Sequence, residues 1–324
     1  MLTDPECPVC AQRFWKPLAE RIYRLAERSD RTPYLQKRYR VLFEVWFPGK
    51  QEIRITSQLC TGCGFVLYTP RPEAVDLEAK YRFLGGLEKD ARPPADAPVE
   101  IARSRQLYRA VARLARRRPQ RARVLDFGGG DGRLMRHFLA ASCECDVVDY
   151  SATCIPGVRK RGDTLADLPA AEHYDWIVCS HVIEHVADPL EIIETLSSHL
   201  DENGILYVEV PMEIWGGAPL QEEPVTHVNF FTPASLRHLL LRAGLHVPRV
   251  RLGAYLHPSG RQLLAVRAVA LRVRRPVVFS PPGDSETLRF LNPGLRERLW
   301  RYALTPENIL GAVRCKVKQL LRNR

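Results

Sequence analysis

Residues 124–134 read VLDFGGGDGRL, and this stretch decides the fold. A short apolar run ends in a carboxylate, Asp126. Gly128, Gly130 and Gly132 then alternate before a helix begins. Only glycine lets a backbone pass close under a ligand with positive φ. A carboxylate at the strand end can meet a cationic group of that ligand. The next strand-like run, CDVVDY, ends in Asp149, 23 residues after Asp126. An acidic side chain there can take both hydroxyls of a ribose. A dinucleotide fold shares this geometry, but its fingerprint is GxGxxG, whose third glycine allows close helix packing. Here that third position is Arg133, and the spacing is DxGxGxG.

Working outward, strand signals fall at ARVLDF (122–127), CDVVDY (145–150), DWIVCS (175–180) and ILYVEV (205–210), with a helix expected after each. Such alternation predicts a parallel sheet with helices on both faces. The helix IARSRQLYRAVARLARRR (101–118) precedes it with an arginine-rich outer face. VPRVRLGAYL (247–256) and RQLLAVRAVA (261–270) flank the turn His257-Pro258-Ser259-Gly260, so one strand runs antiparallel to the rest. Upstream, a helix is expected from Pro17 to Glu27, then two β-rich runs, RVLFEVWF (40–47) and EIRITSQLC (52–60), around Pro48-Gly49. A helix start follows the prolines of TPRP (69–72), and a Gly/Pro-rich linker spans 85–98. The expected division is 1–95, a small N-terminal domain and linker; 96–272, the α/β domain; and 273–324, a basic helical tail.

The glycine loop resembles motif I of class I S-adenosylmethionine-dependent methyltransferases, which bind a sulfonium amino acid and have no pyrophosphate to cradle. YDWIVCSHVIEHVADPLEIIETLSSHLDENGILYVEVP (174–211) resembles the fourth and fifth strands of that family, with its EHv-dP segment and closing EvP. HVNFFTPASLRHLLLRAGL (227–245) resembles the segment leading to its "aGF"-type turn. The match runs from about Val99 to Ala270. It implies a doubly wound, Rossmann-like, seven-stranded sheet with an antiparallel last strand. It also implies S-adenosylmethionine as cofactor: Asp126, Gly128, Gly130 and Gly132 at its methionine end, Asp149 at the ribose, Asp163 or Thr164 near adenine, and Ser180 with His181 facing the methyl group.

Of nine cysteines, Cys7, Cys10, Cys60 and Cys63 form two CxxC pairs; Cys143, Cys145, Cys154, Cys179 and Cys315 are scattered through apolar segments. CPVC and CTGCG are knuckle-shaped, and four thiolates suit tetrahedral zinc in a small ribbon-like domain. The 49 residues between the pairs exceed the spacing of a compact ribbon, and two unrelated pairs are the alternative. CPxC…CxxCG followed by YTPRP and a glycine-loop methyltransferase is similar to enzymes that modify sugars and other small metabolites, among them deoxysugar C-methyltransferases. The chain is shorter than those enzymes and lacks their C-terminal domain. In them the zinc domain is structural and flanks the acceptor pocket.

Methyl transfer is an in-line displacement in which the enzyme positions donor and acceptor. A base helps when the acceptor is a hydroxyl or an acidic C–H. The candidates are His181, Glu184, His185, Glu209 and His227. His181 and His185 share a face if a helix starts at the strand tip. Glu184 could instead bind a divalent ion, as a similar Glu/His segment does in ubiquinone-pathway O-methyltransferases. A bland reading has Glu184 and His185 pinning their loop and Glu209 closing its strand, while His137, His199 and His238 only pack or face solvent.

The net charge of +11 is concentrated at one end: residues 261–324 hold 14 Lys/Arg against 4 Asp/Glu. This argues for a basic tail rather than a nucleic-acid-binding whole. From Leu299 to Leu321 the tail sets Trp300, Leu304, Ile309, Leu310, Val313, Val317 and Leu320 among basic residues, broken by Pro306; such a segment lies on an anionic membrane or packs on the domain. The N-terminus lacks a signal-peptide shape and no apolar run reaches the ~18 residues that span a bilayer, so a cytoplasmic protein, at the inner membrane surface if the tail binds lipid, is expected. The expected acceptor is a small molecule, a sugar or a nucleotide- or lipid-linked sugar. The competing functions are a nucleic-acid methyltransferase, which the absence of an NPPY-type tetrad or PC-type cysteine loop disfavours, and a non-catalytic scaffold.

Overall fold

The computed structural model describes residues 1–87, 93–113, 121–151, 153–272 and 280–305. Of the expected basic tail, residues 273–279 and 306–324, with Cys315, lie outside the described residues.

The chain opens with β1 (Trp15–Arg24), α1 (Pro33–Arg40), β2 (Glu52–Cys60), β3 (Val66–Thr69) and α2 (Ala74–Gly85). Then come α3 (Pro98–Ala112), β4 (Arg123–Phe127), α4 (Arg136–Ala140), β5 (Glu144–Val148), β6 (Val158–Gly162), β7 (Tyr174–Ser180), α5 (Pro189–Ser198) and β8 (Leu200–Pro211). The chain continues through β9 (Asn229–Phe230), α6 (Pro233–Arg242), β10 (Leu245–Leu256), β11 (Gln262–Arg272), α7 (Ser285–Leu291) and α8 (Leu295–Leu304). Seven strands make one sheet in the order β10-β11-β8-β7-β4-β5-β6. β4 through β8 pair in parallel, and β11 runs antiparallel to both β8 and β10, the expected α/β architecture.

Side chains alternate across the sheet. On β7, Ile177 and Cys179 enter one core with α5, α6 and the N-terminal module, while Trp176 and Val178 enter another with α3 and α4. The central strands are buried on both faces, which is why their sequences are continuous apolar runs rather than alternating ones. Helix starts are sharp. Asp188 caps α5 by accepting from the N–H groups of Leu190 (2.9 Å) and Glu191 (3.0 Å), with Pro189 at the first helical position.

Three local expectations fail. Pro17–Glu27 is not a helix; most of it is β1, paired with β2 from Trp15↔Cys60 to Arg24↔Glu52. Its Leu, Ala, Glu and Arg favour helix, but the strongly alternating β2 offers a ladder that overrides propensity. RVLFEVWF is not a strand; it ends α1 and continues as a helical turn burying Val41, Leu42, Phe43 and Trp46. A short apolar run buried all round has no period to distinguish the two. The helix expected after CDVVDY is absent, and the segment forms β6, a polar edge strand.

A second, four-stranded sheet has the order β1-β2-β3-β9. Its last strand comes from beyond β8: Val66 pairs with Phe230 and Leu67 with Asn229. The N-terminal module is thereby stitched to the segment that follows the α/β sheet's fifth parallel strand.

Candidate active site

The glycine loop lies where expected, at the carboxyl end of β4. Gly128, Gly130 and Gly132 all have positive φ (71°, 63° and 74°). Asp126 is buried at the strand end, and its Oδ2 has no hydrogen-bond partner among the described residues. Burial, then the charge of Asp149, pushes its carboxyl up to about 8. Asp149 follows β5 and holds the loop: its carboxylate accepts from the N–H of Gly130 (3.0 Å) and of Ser151 (2.8 Å). Gly129, which the alternating pattern skipped, has its own constraint. A Cβ there would stand 2.2 Å from Asp126 Oδ2. Asp163 follows β6, whose Gly162 carbonyl accepts from the Asp149 N–H, but its side chain pairs with Lys160. Thr164 caps the next turn through Asp167.

Val182 lies against Gly128, and its neighbour His181 enters the wall of a cavity of about 760 Å³. Its walls include Thr32 and Tyr34 at the start of α1, His181, Glu184 and His185 after β7, Thr226 and His227 before β9, and Tyr255 and His257 at the β10–β11 turn. The structure thus brings together all four expected catalytic candidates. It also adds Arg103, Tyr255 and His257, which come from elements too distant in sequence for any spacing to betray, and it sets Glu213 against His227.

No helix starts at the tip of β7; residues 181–188 form turns and α5 begins at Pro189, so His181 and His185 share no helix face. Glu184 joins them instead. Its Oε1 lies 3.4 Å from His181 Nδ1 and 3.6 Å from His185 Nε2, and neither carboxylate oxygen has a hydrogen-bond donor among the described residues. Burial opposes the ionisation of Glu184, but His185, His181 and His227 outweigh it and hold the group down to about 2. His181, at φ 58°, lies between Glu184 and Glu209, whose Oε1 is 3.5 Å from its Nε2. Burial would discharge its ring; the two carboxylates overcome that and raise it to about 9. His181 is therefore an imidazolium at neutral pH. His185 is the opposite case. Its Nδ1 donates to the Thr226 carbonyl (2.7 Å), and burial pushes it down to about 4 against the pull of Glu184, leaving a neutral ring with Nε2 free towards the cavity. His227 Nδ1 faces Glu213 Oε2 at 2.8 Å. Burial works against its charge, but Glu213 raises it. Ser180 donates to Glu209, which Arg267 and Tyr207 also hold, so Glu209 is an anchored group beneath the cavity rather than a free base. His199 and His238 are buried packing residues.

The four cysteines converge. Cys10 and Cys60 sulfurs are 3.4 Å apart, Cys7 and Cys63 sulfurs 3.7 Å, and all four lie within 4.8 Å of one another. A tetrahedron with Zn–S bonds of about 2.3 Å has edges of roughly 3.8 Å, so the set fits zinc. Each knuckle closes on itself: Ala11 N–H donates to the Cys7 carbonyl and Gly64 N–H to the Cys60 carbonyl, both at 2.8 Å. The wide sequence gap is filled by β1, α1 and β2, which bring the second knuckle back beside the first.

Residues 99–249 match a family model described as a methyltransferase domain. Among curated proteins, the chain is 28% identical over 156 residues to the ubiquinone biosynthesis O-methyltransferase of Xylella fastidiosa (strain 9a5c), covering 40% of this chain and 63% of that protein. It is 26% identical over 187 residues to the one from Xanthomonas axonopodis pv. citri (strain 306), covering 52% and 74%. Among solved structures, the 1,6-didemethyltoxoflavin N1-methyltransferase of Burkholderia thailandensis aligns with a TM-score of 0.43 at 18% identity, over 55% of this chain and 80% of that one. The strand order and the glycine loop agree with the matched segment: residues 99–249 match a methyltransferase domain, and the chain carries the seven-stranded sheet that the class I resemblance implies.

Proposed function

We propose that the chain transfers a methyl group from S-adenosylmethionine to a small, hydroxyl-bearing acceptor, a sugar or sugar-linked intermediate, held in the cavity between the N-terminal module and the glycine loop. The observation that carries this reading is a cavity lined by His181, Glu184, His185 and His227, whose wall residue Arg103 also acts on the buried carboxyl of Asp126. The similarity to O-methyltransferases supports oxygen as the atom methylated. The cavity's polar lining and its size suit a polyol with an attached group.

S-adenosylmethionine supplies an electrophilic methyl on a sulfonium. Asp126 would take the ammonium of its methionine end and Asp149 the ribose hydroxyls. Glu184, ionised and without a donor, would accept from acceptor hydroxyls. The neutral Nε2 of His185 can receive the proton that leaves the attacking oxygen, and the His181 imidazolium beside it would make that hydroxyl more acidic. Calorimetric titration with S-adenosylmethionine tests the reading. Wild-type protein should bind. Asp149→Ala should lose about 1.5–3 kcal/mol, roughly ten- to a hundredfold, because a charge-assisted pair to the ribose goes and the Gly130 N–H loses its acceptor. Equal affinity in both proteins would remove Asp149 from the site.

A second reading of the same cluster has support. The ligand atoms of Glu184, His185 and His227 lie within 4.8 Å of one another. His185 already has its Nδ1 donated to a carbonyl, the arrangement that frees Nε2 for a metal. A divalent cation there would orient acceptor oxygens. Manganese titration followed by electron paramagnetic resonance should then show a site that Glu184→Gln abolishes; free manganese throughout would leave the acid–base reading alone.

The cysteine centre is proposed to hold structural zinc. The tail from α8 onward is proposed to contact an anionic membrane surface. No helix among the described residues is long and apolar enough to cross a membrane.

A further inference from the structure

Arg71 belongs to the N-terminal module, yet its side chain leaves it. Its backbone is clamped to Leu2, N–H to carbonyl at 2.7 Å and carbonyl to N–H at 2.8 Å, on the segment that leads into Cys7. Arg71 is 4% exposed, and its guanidinium reaches across to the segment matched to a methyltransferase domain. Nη2 donates to the Ala187 carbonyl (2.6 Å) and to Asn229 Oδ1 (2.9 Å), and Nη1 to the Val228 carbonyl (3.3 Å). Asn229, also buried, passes the contact on: its Nδ2 donates to the carbonyls of Ile183 and Val186, both at 2.7 Å. The N–H groups of Val228 and Asn229 donate to the Glu184 carbonyl at 2.9 and 3.1 Å.

One guanidinium and one amide thus tie the turn 183–187 to the segment 226–230. The turn carries Glu184 and His185. The segment carries His227 and the Thr226 carbonyl that fixes the His185 tautomer. It also contains β9, which pairs with β3 only a few residues after Cys60 and Cys63.

The charge of Arg71 needs an explanation of its own. All its acceptors are neutral, and no carboxylate among the described residues is within ion-pair distance. Burying a guanidinium among neutral groups is costly unless opposite charge lies close by. Burial works against its charge, and an ionised Cys7 and Asp188 are the groups that favour it. Four thiolates around a zinc ion would carry two net negative charges, and Cys7 is one of the four.

We propose that Arg71 is a positioning residue that couples the cysteine centre to the acceptor site: the zinc-loaded thiolates are its counter-charge, and its guanidinium fixes the turn on which Glu184, His185 and His227 are set. The proposal rests on the zinc assignment and on the site described above, and it makes the zinc module a part of the active site's framework.

The test uses full-length, zinc-loaded protein with 15N-labelled histidine. In wild type, His185 should show an Nδ1-protonated, hydrogen-bonded imidazole. Arg71→Met should erase that resonance and weaken zinc about tenfold or more in chelator competition, the size of effect expected for a lost outer partner of a metal site. Its affinity for S-adenosylmethionine should stay within about twofold, since Asp149 and the glycine loop lie outside the relay. Arg71→Lys keeps the charge and should retain zinc, but one ammonium cannot span three acceptors, so the His185 resonance should still be lost. Asn229→Ala cuts the relay beyond the cysteines and should leave zinc untouched while losing the resonance. Arg71→Met with wild-type zinc affinity and an unchanged His185 resonance overturns the coupling. If that variant fails to fold, an unchanged resonance in both Arg71→Lys and Asn229→Ala overturns it. Wild-type protein that holds no zinc overturns it as well. Wild-type protein that fails to bind S-adenosylmethionine overturns the methyltransferase reading of the whole chain instead, and the His185 and zinc measurements are still read independently.

Discussion

Asp126 and Asp149 close neighbouring strands, yet they stand in opposite states before any ligand arrives. Asp149 is already engaged by two backbone N–H groups. Asp126 is buried with an unpartnered oxygen, and burial together with Asp149 holds its carboxyl near 8. At pH 7 the ligand-free group is therefore mostly protonated. An ammonium brought beside it favours the ionised form, so binding S-adenosylmethionine should expel close to one proton at pH 7 and none well above pH 9. Affinity should rise with pH up to about 8, then fall as the ligand's own α-amino group, with a reference value near 7.7–8.0, gives up its proton. Calorimetry at pH 7 in buffers of different ionisation enthalpy would measure the release directly; buffer-independent heats would show that Asp126 does not meet the ammonium. The places of both aspartates were legible in the sequence because they follow from spacing along a strand–loop–helix unit. Gly129 was not, because what it needs is clearance from Asp126 rather than a turn conformation. Arg103, Tyr255 and His257 were not, because a cavity wall built from α3 and the β10–β11 turn leaves no local pattern.

Elements show the same division. β4, β5, β7 and β8 were legible as apolar runs since burial on both faces demands them. β6, VRKRG, was invisible: it is an edge strand whose Arg159 pairs with Asp146 and whose Lys160 pairs with Asp163, so it carries almost no apolar signal. β1 was not legible because its identity is conferred by β2, whose register sets Trp15 against Cys60 and Arg24 against Glu52. The two knuckles were legible as motifs, while the gap between them made sense only once β1, α1 and β2 were seen to return the chain to its start. Their convergence gives a sharp expectation. The protein should carry one zinc per chain, and the double variant Cys60→Ser/Cys63→Ser should carry almost none by elemental analysis. Burial, followed by the neighbouring sulfurs, pushes the Cys7 thiol up, so without a cation the four groups cannot all ionise. Metal binding and folding of the module are then one event, and the variant should lose the β1-β2-β3-β9 sheet in circular dichroism. Stoichiometric zinc in the double variant would move the metal elsewhere.

At the scale of the molecule, the N-terminal module shares a sheet and a core with the methyltransferase domain, and the basic excess lies at the other end of the chain. The described part of that end is α7 and α8. α8 leaves Leu295, Leu299 and Trp300 exposed beside Arg296 and Arg298. A soluble surface seldom exposes two leucines and a tryptophan on one ten-residue helix without a use for them. Apolar side chains that can enter the headgroup boundary, with arginines to meet anionic lipid, are what an interfacial helix requires. The helix is also tied to the site. Arg301 lies over the Trp215 ring at 5.7 Å, Trp215 packs on Phe290 of α7, and the Gly216 N–H donates to the Phe290 carbonyl. Glu213, which faces His227, is two residues before Trp215. A membrane under α8 would therefore bring the cavity close to lipid-borne acceptors. Each basic residue near an anionic leaflet contributes about 1 kcal/mol, and salt screens that attraction. Full-length protein should sediment with vesicles containing anionic lipid at low salt and largely stay in solution at high salt. Leu299→Ser/Trp300→Ser should weaken the low-salt binding, because the apolar contribution goes while the charge remains. A protein truncated after residue 272 should not sediment at either salt. Equal sedimentation of full-length and truncated protein would mean that α8 is a structural helix and that the acceptor need not reside in a bilayer.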